Sequence, residues 1–117
     1  MTITIHPIRT TADFDAMLVA ARSDGHDPLI PPTHLARGPA GQIVGAFNVG
    51  PVVAWWLRTD QGVRESIAAF AALETLQRDR CIARYAILIS DDSPYCRVVE
   101  RTGMRYVEGM RVLTKET

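Results

Sequence analysis

The sequence predicts one α/β domain, residues 1–117, built as a mixed twisted sheet with helices on both faces in the order β-α-β-β-β-α-β-α-β(β). Three observations predict it. Short stretches of alternating or continuous apolar character are interleaved with two longer segments of helical period. Glycine and proline fall mainly between those stretches, where turns are needed. A length of 117 residues, 47% of them apolar and 22% charged, fits a single domain with enough carbon to fill a core.

Thr2 to Ile8 alternates, with Ile3, Ile5 and Ile8 interleaved with Thr4 and His6, and reads as a strand. Thr10 or Thr11 then offers an N-cap hydroxyl, and Asp13 places an anion in the first helical turn. Phe14, Met17, Leu18 and Ala21 share one helical face, which Asp24-Gly25 terminates. His26 to Pro32 carries three prolines and reads as a loop. Thr33 to Arg37 and Gln42 to Val49 form a hairpin about Gly38-Pro39-Ala40-Gly41. After Gly50-Pro51, Val52 to Arg58 is nearly continuously apolar, as in a strand covered on both faces.

Asp60 can cap the next helix, Gly62 to about Asp79, whose broad apolar face carries Val63, Ile67, Phe70, Leu73 and Leu76. Arg84 to Ser90 is another buried strand. Ser93 as N-cap with Pro94 at the first helical position starts a helix that runs through Arg101 and ends at Gly103. Arg105 to Lys115 supplies one or two closing strands, bent at Gly109.

Composition narrows the function classes. Thirteen basic against thirteen acidic residues leave no net charge, so the basic excess of a nucleic-acid binder is missing. Twelve of the thirteen bases are Arg, a bias that a GC-rich coding genome produces without functional meaning. The apolar runs are too short to span a membrane. No secretory signal precedes the first strand, which points to the cytoplasm. Cys81 and Cys96 stand apart from any CxxC or neighbouring His, which predicts two buried reduced thiols and no metal site. Trp55 and Trp56 are adjacent on one strand and must point to opposite faces. Either both indoles lie under helices, or one lines a cleft or meets a protein partner.

This element order resembles the GNAT acyltransferase superfamily over essentially the whole chain. Ala40-Gly41-Gln42-Ile43-Val44-Gly45 looks like the family's hairpin, in which a Gly-x-Ile-Val-Gly segment opens the third strand. Trp55 to Arg58 stands where the fourth strand runs towards the pantetheine-binding loop, and Val98 to Met104 resembles the late helix that ends in Gly and a large apolar residue. The resemblance implies acetyl-CoA held by Trp56, Leu57, Gly62, Val63, Arg64 and Ser66, with the thioester in a splay between strands and loop amides on the pyrophosphate.

Three departures follow from the same alignment of motifs. With Gln61 at the first position of the loop pattern, Arg64 falls on the first required glycine and Ser66 on the second small residue. Arg64 is then either a surface side chain or a phosphate ligand in its own right. The position of the family's proton-donating Tyr is Val99; Tyr95, one turn earlier, is the substitute if the chain is active and a packing residue if it is not. No general base is visible: Arg58 stays protonated, Asp60 reads as a cap, and His34 reads as a surface histidine, or as a cleft residue if it turns inward.

Two functions are carried forward. One is a catalytically silent domain of this fold acting as a binding or structural subunit, with no cofactor and a protein partner or homo-oligomer through Trp55, Trp56 or a free sheet edge. The chain's size and look are also similar to acyltransferase-like proteins of bacteriophages, which implies a virion component for this class. The other is an acetyl-CoA-dependent N-acetyltransferase acting on an amine.

Overall fold

In a computed structural model, which describes residues 2–28, 30–109, 111, 113 and 115, a sheet ladder begins at β1 (Thr4–Pro7). Helix α1 (Thr11–Ser23) follows, its N-terminus capped by the Thr10 hydroxyl, which accepts from the Asp13 amide at 3.1 Å. Gly25 at φ +78° lets the chain leave α1 through the left-handed region. Strands β2 (His34–Arg37) and β3 (Ile43–Phe47) pair antiparallel, with an irregularity between Ala36 and Arg37 that leaves Val44 without an opposite residue.

The expected single strand over Val52 to Arg58 is divided. Val52–Val53 forms β4, Trp55–Leu57 forms β5, and Ala54 separates them. β5 completes an antiparallel sheet of order β1-β2-β3-β5, while β4 pairs in parallel with β6 (Ala86–Ile87). Between them lies α2 (Val63–Asp79), and α3 (Cys96–Arg101) comes after β6. The mixed α/β class with helices on both faces is therefore the observed one.

Alternation along the strands sends side chains to two cores. Ala36, Phe47, Val53 and Leu57 meet Phe70 and Leu73 of α2 and Val98 and Val99 of α3 on one face. Leu35, Ala46 and Trp56 meet Met17 and Ala21 of α1 on the other. Gly45, opposite Leu57 in the β3–β5 register, has no room for a side chain: a Cβ there would collide with the Trp56 carbonyl and the Leu57 side chain.

Several local expectations are corrected. Asp60 does not cap α2, whose N-cap is Gly62, because the Arg58 guanidinium holds both Asp60 oxygens, the nearer at 2.6 Å. α3 starts at Cys96, two positions beyond Pro94; Ser93 turns the chain ahead of it by accepting from the Tyr95 amide at 3.2 Å. Cys81 is exposed and Cys96 half-buried, so neither is a core thiol. Cys81 sits in the surface turn after α2 at φ +61°. His34 is buried rather than on the surface. Its Nε2 faces the Arg80 guanidinium at 3.3 Å and its Nδ1 faces the Thr33 hydroxyl at 2.8 Å. Arg can only donate, so Nε2 accepts and Nδ1 carries the proton.

The closing strands expected over 105–115 fall partly on 110, 112 and 114, outside the described residues. The described residues of that stretch form no strand. Among the described residues no helix is long and apolar enough to cross a membrane.

Candidate cleft between the parted strands

β4 and β6 are joined by Ala86 N–H donating to Pro51 C=O at 2.8 Å and Leu88 N–H donating to Val53 C=O at 2.9 Å. Beyond Val53 the two segments part. Trp55–Leu57 follows β3, and Leu88–Ser90 has no strand partner among the described residues. The gap holds two adjoining cavities of about 290 and 440 Å³ that share Trp55, Trp56, Leu88, Ile89 and Ser90 as walls. One extends to Pro28, Ile30 and Pro32 of the loop after α1, the other to Asp24, Thr59, Asp92 and Tyr95.

The two indoles flank the gap from opposite faces. Trp55 is half-buried and stands edge-on to Phe70 at 5.2 Å and to Tyr95 at 5.6 Å. Its Nε1 is buried with no hydrogen-bond partner among the described residues. Trp56 is buried, lies parallel to His26 at 6.4 Å and donates its indole N–H to Asp24 at 2.9 Å. Neither indole projects outward, because each is taken up by the helix packed on its own side of the sheet.

Asp24, the residue after α1, ties that helix to the end of β5. Besides Trp56, it accepts from the Thr59 amide at 3.0 Å and the Thr59 hydroxyl at 2.8 Å. Burial pushes its carboxyl up, but the Trp56 and Thr59 hydrogen bonds and the Arg58 charge outweigh that and hold it below the usual carboxylate range. It is an anion at neutral pH. His26 is shifted down by burial, against the pull of Asp24 and Asp27, and is neutral there.

Tyr95 lies at the N-cap of α3, not within the helix, and it is buried. Its hydroxyl donates to the Arg58 carbonyl, where β5 turns towards α2. Burial pushes its phenol up to about 12; the Ser66 hydroxyl opposes this, while the Asp24 and Asp60 charges add to it. The group is a proton carrier already committed to a backbone acceptor. Val99, the other position considered, is buried against the α2 side.

The loop residues gather at the start of α2. Gly62 is the N-cap, Val63 and Arg64 are exposed, and Ser66 is buried with its hydroxyl donating back to the Gly62 carbonyl at 2.9 Å. Glu65, in the first turn, folds back over Gly62, so closely that a Cβ at Gly62 would clash with its carboxylate. Its charge therefore offsets the positive end of the helix from within the chain. Leu57 turns its side chain to the α2 side of the sheet and Trp56 to the α1 side, so the residues named for a cofactor are divided between two faces. His34 is on the α2 side of the sheet beside Arg80, and lines neither cavity.

Sequence reasoning missed Asp24, His26, Glu65, Asp92 and the Leu88–Ser90 wall. Asp24 reads as a helix stop, and nothing in a linear pattern joins it to Thr59, 35 positions away. Glu65 carried a signal, an acid inside the very segment examined for phosphate binding. Among the described residues no group of three or more His, Cys, Asp or Glu could hold a metal ion. No protein-family model matches the chain, and no curated protein matches it significantly.

Proposed function

We propose that the chain is an acyltransferase-like domain that binds without catalysing, a binding or structural subunit. The observation that carries this reading is the charge around the cleft. Asp24 and Asp92 line its wider cavity, among the described residues no Lys or Arg lines either cavity, and Glu65 occupies the N-terminal end of α2. Arg58, the base next in sequence, is paired with Asp60. Coenzyme A is a polyanion, and it would meet carboxylates where an enzyme needs amides and cations. Tyr95 spends its proton on the Arg58 carbonyl, and neither cavity wall holds a carboxylate free of other partners beside an amine path: Asp24 is held by Trp56 and Thr59, and Asp92 accepts from the Ser90 hydroxyl at 2.7 Å.

Calorimetry with acetyl-CoA tests it. The expected dissociation constant is weaker than about 100 μM, or no more than about 5.5 kcal/mol of binding. Glu65→Gln should tighten it, and a low-micromolar value for the parent chain would overturn the reading.

One observation favours the enzyme alternative, an acetyl-CoA-dependent N-acetyltransferase. The protonated Tyr95 phenol lies on the cleft wall, where a departing thiolate could collect its proton. Assay of acetyl transfer to a panel of amines decides between the two. No turnover is expected. Turnover that falls by about a hundredfold or more in Tyr95→Phe, with the fold intact, would establish the alternative.

A further inference from the structure

Resting on the binding reading, we propose that the cleft takes a short extended peptide carrying a basic side chain, inserted as a strand between Trp55–Leu57 and Leu88–Ser90.

The backbone argues for a strand. Continuation of the β4–β6 parallel ladder would next join Trp55 N–H to Leu88 C=O and Ser90 N–H to Trp55 C=O. Neither bond is made. On the other edge of β5, Asn48 N–H donates to Ala54 C=O at 2.7 Å and Arg58 N–H to Val44 C=O at 2.8 Å. Those bonds turn Ala54, Trp56 and Arg58 towards β3, so the amide and carbonyl groups of Trp55 and Leu57 face the gap. The amide and carbonyl groups of Trp55 and Leu57 thus face the Leu88 C=O and the Ser90 N–H across the gap, while the Ser90 C=O is already taken by the Ser93 amide at 3.0 Å. A compact molecule would satisfy one or two of these groups, whereas a peptide strand satisfies them in series.

The charge argues for a base. Asp24 and Asp92 stand at the wider cavity; among the described residues no Lys or Arg lines it, although the Arg58 charge reaches Asp24. The Trp56 indole and the His26 ring stacked on it offer an aromatic surface beside Asp24, along which the methylene stem of a Lys or the plane of an Arg can lie. The remaining walls, Pro28, Ile30, Pro32, Ala54 and Leu88 among them, suit apolar neighbours in the same peptide. A cationic strand therefore complements the cleft, and an acidic one is repelled.

The test uses the full chain and three terminally blocked pentapeptides titrated by calorimetry and tryptophan fluorescence. One is acetyl-Val-Thr-Lys-Thr-Val-amide, the second has Glu in place of Lys, and the third is the Lys peptide with its central amide N-methylated. The Lys peptide should bind at least about tenfold more tightly than either of the others, and more weakly as salt rises. Asp92→Asn should narrow the preference for Lys over Glu, with the parent's circular dichroism retained. Equal binding of the Lys and Glu peptides, indifference to N-methylation, or no binding of the Lys peptide would each overturn the proposal. Acetyl-CoA is titrated in parallel. Tight acetyl-CoA binding with turnover sinks the underlying reading, whereas weak acetyl-CoA binding with a silent Lys peptide sinks the peptide alone.

Discussion

On the α2–α3 side of the sheet, Phe47, Val53, Leu57, Phe70 and Leu73 pack carbon on carbon, with Phe47 and Phe70 edge to face at 6.3 Å. On the α1 side, Met17, Ala21, Leu35, Ala46 and Trp56 make a smaller core, and Asp24 holds its rim through hydrogen bonds to Trp56 and Thr59. Apart from His34, the first side relies on buried area, which pH alters little. The second adds an ionised carboxylate, and that carboxylate also faces the cleft. Anchoring of α1 and the charge of the candidate site are therefore one property, and a change in either moves both.

The sharpest test of this contrast is truncation in each core. Phe70→Ala should cost about 3–5 kcal/mol, the usual range for deleting a buried phenyl. Met17→Ala should cost less, near 2 kcal/mol, because the thinner α1 side can settle inward. Urea titrations of the two variants give the ranking, and a larger loss for Met17→Ala would break the contrast.

Asp24→Asn comes next. It removes the charge behind the Trp56 and Thr59 hydrogen bonds, at a cost of about 1–3 kcal/mol near neutral pH. The folded-state pKa of Asp24 is lowered, so its contribution is complete above the unfolded value of about 3.9 and disappears as pH falls through the folded value. Parent and variant should converge in stability at strongly acidic pH, while the Phe70→Ala deficit persists there. Parallel loss at every pH would show that Asp24 acts by shape alone.

His34 gives a smaller effect on the α2 side. Burial lowers its pKa, and the Arg80 and His6 charges lower it further. The folded state thus favours the neutral ring, a contribution present above the unfolded value of about 6.5 and lost as pH falls through the folded one. Unfolding free energy from urea titration should fall on going from neutral to mildly acidic solution, with a slope of at most about 1.4 kcal/mol per pH unit. His34→Gln should flatten that slope, and an unchanged slope would remove His34 as its source. Smallest of all, Tyr95→Phe should change stability by about 1 kcal/mol or less, since one hydrogen bond to the Arg58 carbonyl is lost and the ring remains.

The sequence made the long elements legible because their signals are local. Thr10, the Phe14–Ala21 face and Gly25 delimit α1, and the apolar stripe from Ile67 to Leu73 marks α2. The cleft was legible only through the resemblance, as a splay between strands. Its walls depend on where the Val52–Leu57 run changes partner at Ala54, and pairing across 30 or so positions leaves no trace in periodicity. The same limit hid the burial of His34, which meets Arg80 from 46 positions away. Tyr95 was assigned to the right vicinity but to a helix rather than its cap, a boundary that Ser93 moves by one hydrogen bond.

Gly45 lines neither cavity itself, yet it governs how near β5 can come to β3. A single methyl group there would press on the Trp56 carbonyl and Leu57 and drive β5 towards Leu88–Ser90, shutting the gap from behind. In a saturation mutagenesis scan for ligand binding, position 45 would then score as intolerant as any residue lining the cleft. Its intolerance would be to volume and not to polarity: Ala and Ser would fail alike. That pattern separates a spacer from a participant, and it identifies the back of the sheet as the place from which selection can tune the width of the opening without touching its lining.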